Sequence, residues 1–218
     1  MDPTNWPGVF REGRDLYTVN RRPGERVYGE ELRVSARVEY RQWDPFRSKL
    51  AAWLLRGAEE APWVGAKNVL YLGAAHGTTA SHLSDLLPDA RIFVVEKSPT
   101  SFAPLLALAR RRTNLYPILA DAQLPERYAG DVGTVEFLYQ DIAQRTQAAI
   151  FAENARTLLT AGGRGLLMLK VRSVTQTRPA PAIVHAARSE LARGGLTVLS
   201  ETALVPFSRE HTALLVRS

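Results

Sequence analysis

The chain has 218 residues, 45% of them hydrophobic, with a formal net charge of +6 and no cysteine. The missing cysteines exclude disulfides, thiolate metal ligands and a cysteine nucleophile. No apolar run reaches the roughly 18 residues that a membrane span requires, and the N-terminus lacks a secretory signal pattern, so we expect a cytoplasmic protein. The positive charge permits a polyanionic partner such as RNA or DNA without requiring one.

The first 60 residues have a different pattern from the rest of the chain. Apolar and polar residues alternate in segments 9–20 and 26–43, which predicts short antiparallel strands. The following segment, DPFRSKLAAWLLRGAEE, predicts a helix with Asp44 as N-cap and Pro45 at the first helical position. We therefore expect a small N-terminal β-rich domain in residues 1–55 and a larger domain in residues 56–218.

Strands and helices alternate from Asn68 onward. The predicted strands are 68–74, 91–97, 115–121, 134–141, 164–171, 196–205 and 211–218. The predicted helices are 78–87, 101–112, 146–159 and 181–195. This order predicts an α/β fold with a doubly wound, mostly parallel, seven-stranded sheet of Rossmann-like type. The last two strands are expected to form a hairpin that makes one edge strand antiparallel, which favours a nucleoside-dependent methyltransferase over a dinucleotide dehydrogenase.

The segment NVLYLGAAHGTT predicts a strand, a glycine turn and the start of a helix. Gly73 and Gly77 allow a tight turn and a close approach to a ligand. Ala75 occupies the central position of the fingerprint G-x-G-x-x-G, so the cradle for a pyrophosphate is incomplete. Glu96 ends the next strand, where a carboxylate can accept hydrogen bonds from both hydroxyls of a ribose. The combination fits S-adenosylmethionine, although an ordinary turn followed by a solvent-exposed glutamate remains the alternative.

Three further charged residues end the next strands. Asp121 ends the third strand, Asp141 the fourth and Lys170 the fifth. Ligands of open parallel sheets bind beyond the carboxyl ends of the strands, so these residues are expected around one crevice. We expect Lys170 to pair with Asp141. The alternative for the strand-end aspartates is that they are helix caps, and the alternative for Lys170 is an exposed surface lysine. The histidines show no convincing metal-ligand spacing, and we expect no metal.

Several motifs together resemble the archaeal fibrillarin family over nearly the whole chain. They are LYLGAAHGTTASHLSDL, VVEKSP, PILADAQLPERY, YQDIAQRTQAAIFAENA, LKVRS and PFSREH. The resemblance implies an S-adenosylmethionine-dependent 2′-O-methyltransferase for the ribose of rRNA and tRNA. It also implies a particle in which a box C/D guide RNA selects the target, together with a Nop-domain scaffold protein and a kink-turn-binding protein.

The resemblance also assigns the residues of the site. Its cofactor residues are Gly73, Ala75, Gly77, Thr78, Thr79, Glu96, Lys97, Asp121, Ala122, Asp141, Ile142, Ala143 and Gln144. Its catalytic residues are Lys49, Asp141, Lys170 and His211. The chain departs from many relatives at two positions, with His76 in the turn and Lys97 where an aromatic residue is common.

The sequence leaves the mechanism and the substrate open. Lys170 acts either as a general base or as a group that orients the hydroxyl and stabilises the oxyanion. A methyltransferase for another nucleophile and a non-catalytic subunit of an RNA particle are the competing functions. Two arginine-rich groups are expected to flank the crevice and contact phosphates of a guide–target duplex. They comprise Arg41, Arg47, Lys49 and Arg56, and Arg172 and Arg178.

Overall fold

The computed structural model describes residues 1–175 and 177–218, and it contains two β-sheets. The smaller sheet is antiparallel, with the strand order β1-β2-β3-β5-β4. Its strands are β1 (Asp2–Pro3), β2 (Val9–Glu12), β3 (Asp15–Val19), β4 (Leu32–Ser35) and β5 (Val38–Gln42). The alternation of apolar and polar residues in the sequence thus correctly predicts strands in this segment.

The larger sheet has seven strands in the order β11-β12-β10-β9-β6-β7-β8. They are β6 (Asn68–Leu72), β7 (Arg91–Glu96), β8 (Leu115–Leu119), β9 (Val135–Gln140), β10 (Leu159–Lys170), β11 (Thr197–Ala203) and β12 (His211–Arg217). Strands β6 to β10 are parallel, and their central strands are continuous apolar runs because helices cover both faces of the sheet. The predicted fold class is confirmed.

One detail of the predicted topology is wrong. The two C-terminal strands form the expected hairpin, but the edge strand β11 runs in the same direction as β6 to β10. Instead, β12 lies between β10 and β11 and pairs antiparallel with both of them. This arrangement places His211, the first residue of β12, directly opposite Lys170, the last residue of β10.

The helices are α1 (Lys49–Leu55), α2 (Thr78–Leu86), α3 (Pro99–Ala109), α4 (Ala129–Val132), α5 (Gln147–Leu158), α6 (Val171–Val174) and α7 (Ala180–Arg193). The predicted start of the first helix is wrong. Ser48 is the N-cap, and its side chain accepts a hydrogen bond from the Ala51 N–H. Asp44 instead accepts from the N–H of Phe46 two residues later, in the local turn geometry that aspartate favours.

Helix α1 packs into a hydrophobic cluster that spans both sheets. The cluster contains Leu16 and Trp43 from the N-terminal segment, Trp53 from α1, and Val69 and Phe137 from the large sheet. All five side chains are buried. The division of the chain at residue 55 stays a prediction, since the segments on its two sides share this core. In residues 1–175 and 177–218, none of the helices is both long and apolar enough to cross a membrane.

A buried network of ion pairs fastens the N-terminal sheet to α2. Arg41 is fully buried and lies 2.6 Å from both Glu30 and Asp85. Arg112 pairs with the other carboxylate oxygen of Asp85, also at 2.6 Å. The prediction that Arg41 contacts RNA is therefore wrong, because its guanidinium is buried and paired with Glu30 and Asp85.

His82 adds a neutral contact beside this network. Its two ring nitrogens are hydrogen-bonded to Thr18 and Tyr28 at 2.8 Å, and its ring stacks on Trp43. Burial, with the charges of Arg41 and Arg112 as lesser causes, lowers the pKa of His82 well below 6.5. The imidazole is consequently neutral and serves as packing between the sheet and the helix.

The variant Asp85→Asn tests the weight of this network. It removes the carboxylate that two buried arginines share, so we expect the free energy of unfolding to fall by about 3–5 kcal/mol. The control Glu201→Gln breaks an exposed pair with Arg188 and is expected to cost less than about 1 kcal/mol. Urea denaturation measures both, and equal losses in the two variants would contradict the assignment.

Candidate active site

The turn after β6 combines three residues with left-handed backbone. Gly73, Ala75 and Gly77 have φ angles of +82°, +47° and +90°. A Cβ atom at Gly73 would lie 2.5 Å from the carbonyl oxygen of Asp141, so glycine is required where this turn approaches the end of β9. At Gly77 a Cβ would meet the side chain of Leu108 at 2.5 Å. The glycines thus bring the turn close to both β9 and α3.

Glu96 is held by the backbone at the end of β7. One carboxylate oxygen accepts the N–H of Ala75 at 2.9 Å, and the other accepts the N–H of Ser98 at 2.7 Å. Lys97 points elsewhere and pairs with Asp121 at 2.6 Å. Burial acts to raise the pKa of Asp121, but the hydrogen bonds from Lys97 and from the N–H of Gln123 outweigh it and lower that pKa. The two backbone hydrogen bonds fix the orientation of Glu96, and its carboxylate still has lone pairs that can accept further hydrogen bonds.

A cleft of about 290 Å³, here named the strand-end cleft, opens beside Glu96. Its lining residues from the predicted cofactor set are Gly73, Ala75, Glu96, Lys97, Ala122, Asp141, Ile142, Ala143 and Gln144. Val95, Ser101 and Ala120 complete the lining, and the motifs gave no signal for these three. The wall is apolar near Ala122 and Ile142 and carries a carboxylate at Glu96, which suits a nucleoside.

A second depression of about 280 Å³, the crevice, adjoins the strand-end cleft. Both are lined by Gly73, Ala75, Asp141 and Ala143. Thr78 and Thr79 of the predicted cofactor set line the crevice rather than the cleft. All four predicted catalytic residues line the crevice too: Lys49, Asp141, Lys170 and His211. Gly77 and Asp121 line neither depression; Gly77 shapes the turn, and Asp121 binds Lys97.

The lysine that pairs with Asp141 is Lys49. Its Nζ lies 2.7 Å from Oδ2 of Asp141, with both side chains partly buried. The expected pair between Lys170 and Asp141 is therefore wrong, because α1 places Lys49 against the carboxylate. Burial raises the pKa of Asp141, and the positive charges of Lys49 and Lys170 limit that rise. Asp141 is thus a largely buried carboxylate that is paired with Lys49 and lies within the influence of the charge of Lys170.

Lys170 and His211 face each other across the antiparallel pair β10–β12. The backbone of Lys170 is fixed by Gln147, whose side chain accepts its N–H at 2.8 Å and donates to its carbonyl at 3.0 Å. Within the described residues, the Nζ of Lys170 makes no hydrogen bond. Nδ1 of His211 bonds to Oγ of Ser208 at 2.7 Å. Lys170 is therefore a cation at the crevice whose donors remain available.

His211 is neutral in this environment. Burial, assisted by the charges of Lys49 and Lys170, lowers its pKa from 6.5 to about 3. A neutral imidazole offers one acceptor and one donor nitrogen, depending on its tautomer. The crevice therefore contains two lysines, one carboxylate and one neutral histidine.

Three residues around the crevice have roles that the sequence did not predict. Ser48 and Thr79 are both buried, and their hydroxyl oxygens are 2.9 Å apart, which ties the start of α1 to the start of α2. Tyr71 lines the crevice and packs edge-on against Tyr139. The N-cap position of Ser48 before KLAA was a usable signal, whereas the contact with Thr79 depends on tertiary packing.

The family model for fibrillarin matches residues 3–218 of this chain. A fibrillarin-like rRNA/tRNA 2′-O-methyltransferase of Methanothermobacter thermautotrophicus is 40% identical over 210 residues, covering 96% of this chain and 94% of that protein. The chain belongs to the fibrillarin family. Both the resemblance and the family assignment therefore cover nearly its full length.

Two solved fibrillarins match the fold closely. The fibrillarin of Aeropyrum pernix, solved with natively bound S-adenosyl-L-methionine, has a TM-score of 0.86 and 43% identity. The match covers 93% of this chain and 88% of that one. A fibrillarin solved in complex with Nop5p has a TM-score of 0.88 and 36% identity, with 97% of each chain covered. The small antiparallel sheet and the seven-stranded sheet are thus the architecture of this family.

The protonation of His211 is directly measurable. Because its pKa lies near 3, we expect no titration of its imidazole between pH 5 and pH 8 in an NMR experiment on the ring. Unfolding restores the ordinary value of 6.5 and takes up a proton, so this residue's contribution to stability is lost as pH falls from 6.5 towards 3. A ring titration with a midpoint near 6.5, absent in His211→Gln, would contradict the burial argument.

Proposed function

We propose that this chain transfers a methyl group from S-adenosylmethionine to the 2′-oxygen of a ribose in rRNA or tRNA. The observation that carries the proposal is the crevice lined by Lys49, Asp141, Lys170 and His211, which adjoins a cleft suited to a nucleoside. The names of the relatives and the ligand of the Aeropyrum pernix fibrillarin support it. A poorly acidic hydroxyl is the kind of nucleophile for which two cations beside a carboxylate are useful.

The residues of the strand-end cleft fit the nucleoside part of the cofactor. Glu96 has acceptor capacity for the ribose hydroxyls, and Ala122 and Ile142 offer apolar contacts for the adenine. The first N–H groups of α2, at Thr78 and Thr79, have no partner within the helix and suit the methionine carboxylate. When bound, S-adenosylmethionine supplies a methyl group that its positive sulfur makes electrophilic.

The residues of the crevice then prepare the ribose hydroxyl. Oδ2 of Asp141 is engaged by Lys49, whereas Oδ1 makes no hydrogen bond within the described residues and can accept the 2′-hydroxyl proton. Lys170 places a positive charge where the oxygen becomes negative, which lowers the energy of that state. Neutral His211 accepts or donates one hydrogen bond without adding charge. We therefore assign Lys170 to stabilisation of the oxyanion, and Asp141 to orientation of the hydroxyl and uptake of its proton.

The partners belong to the same proposal. The fibrillarin–Nop5p complex supports a Nop-domain scaffold as a partner of this chain. We further propose a box C/D guide RNA, target rRNA or tRNA, and a kink-turn-binding protein, as the family resemblance implies. In that particle, residues 1–55 would supply Lys49 and residues 56–218 the cofactor-binding sheet.

The proposal is tested in a particle reconstituted from this chain, a guide RNA and the two partner proteins, with methyl-labelled S-adenosylmethionine. Paired target RNAs carry either a 2′-hydroxyl or a 2′-deoxy sugar at the guided nucleotide. We expect label only in the hydroxyl target, because the deoxy sugar lacks the attacking oxygen. The variant Lys170→Ala should lower turnover by about 100-fold or more while cofactor binding is retained.

Two outcomes would contradict the proposal. Label in both targets would mean that the methyl group is transferred to a base and not to the 2′-oxygen. Label in neither target, with cofactor bound to the particle, would favour a subunit that keeps the fold without the chemistry. Cofactor binding is measured separately by calorimetry on the isolated chain.

A further inference from the structure

A further cleft, of about 440 Å³, shares the lining residue His211 with the methyl-transfer crevice. Its walls are the segment after β10 and the loop between β11 and β12. We name it the basic cleft, and its charged residues are Arg172, Arg178, Arg209 and Glu210. The assigned roles of the crevice and the strand-end cleft use none of these four residues, and the sequence predicts contacts with duplex phosphates only for Arg172 and Arg178.

The basic cleft adjoins the crevice at His211. His211 lines both depressions, and Arg172 follows Lys170 by only two positions in the chain. A polymer that places one unit in the crevice can therefore place the next unit in the basic cleft. A volume of about 440 Å³ is in the range of sites that hold small organic ligands, and it exceeds what an isolated phosphate needs.

The charge of the basic cleft suits a phosphodiester. Three arginines face one carboxylate, and within the described residues Arg178 and Arg209 form no ion pair. Arg172 lies 3.3 Å from Glu210, but both side chains are largely exposed, at 75% and 42%. Exposed pairs of this kind are weak, so a phosphate can replace Glu210 as the partner of Arg172. The planar guanidinium binds two phosphate oxygens at once.

The remaining wall is suited to a sugar. Val171, Ala203 and Val205 are apolar, while Thr175 and Thr212 bring hydroxyl groups. This mixture matches the ribose of RNA, which presents both carbon atoms and a 2′-hydroxyl. An inorganic anion would use only the arginines of such a cleft.

We propose that the basic cleft binds the phosphate and ribose of the nucleotide adjacent to the methylated one on the target RNA strand. The inference rests on the proposed function, since it takes the crevice as the place of the methylated ribose. It assigns Arg178 and Arg209 to the adjacent phosphate, with Arg172 joining when Glu210 is displaced. Substrate strands would thus be held in register by a contact that lies outside the four catalytic residues.

The test combines protein variants with modified RNA in the reconstituted particle. The double variant Arg178→Gln/Arg209→Gln removes two charges from the basic cleft. Its control, Arg156→Gln/Arg188→Gln, removes two charges from exposed helical arginines elsewhere. Target RNAs carry one uncharged methylphosphonate linkage immediately before the guided nucleotide, immediately after it, or six nucleotides away. KM, kcat and the dissociation constant of the target are measured for each combination.

We expect the cleft variant to raise KM for the unmodified target about 10-fold or more with kcat changed less than about threefold. The logarithm of the association constant should depend less steeply on the logarithm of the salt concentration. The magnitude of this slope should decrease by about one for each phosphate that the variant no longer neutralises. One of the two adjacent methylphosphonates should raise KM for the wild-type protein and have no further effect in the cleft variant. The control variant and the distant linkage should each leave KM within about twofold of the wild type.

Other outcomes overturn the inference. An unchanged KM in the cleft variant would mean that the cleft does not bind the adjacent phosphate. Independent effects of the variant and the linkage at both adjacent positions would mean the same. In either case, methylation by the wild type would still uphold the proposed function. Weaker assembly with the scaffold protein at unchanged KM would indicate an acidic protein segment as the occupant. If the wild type methylates no target, the proposed function fails, and the dissociation constants alone then decide whether the cleft binds the strand.

Discussion

The site depends on the ion pair between Lys49 and Asp141. Lys49 begins the helix that follows the N-terminal sheet, whereas Asp141 follows β9 in the large sheet, and their charged atoms are 2.7 Å apart. Lys170 and His211 come from two further strands of the large sheet. The four side chains therefore form one cluster only when α1 is packed against the ends of the strands. Loss of either partner would leave a partly buried charge without its ion-pair partner.

Several contacts hold α1 in this position. Ser48 caps the helix and bonds to Thr79, so the start of α1 and the turn after β6 are fixed relative to each other. Behind them, Arg41 and Asp85 join the N-terminal sheet to α2, and the ring of His82 packs in the same interface. In the proposed mechanism, the N-terminal sheet thus contributes by positioning α1. It supports the segment that delivers a lysine to the crevice.

The sequence predicts much of this arrangement, because strand periodicity and strand-end charges are local signals. It placed Glu96, Asp141 and Lys170 at the ends of parallel strands, and the topology of such a sheet then brings them to one edge. It could not predict which lysine pairs with Asp141, since the route of α1 across the sheet is set by long-range packing. For the same reason the sequence failed to distinguish the buried Arg41 from a surface cation.

The most direct test of this account is a double-mutant cycle on turnover with Lys49→Met, Asp141→Asn and both changes together. If the pair acts as a unit, each single variant lowers kcat by about 100-fold or more, and the double variant is no slower than the worse single variant by more than about threefold. Multiplication of the two single effects would contradict the account, because it would mean that the lysine and the carboxylate act independently.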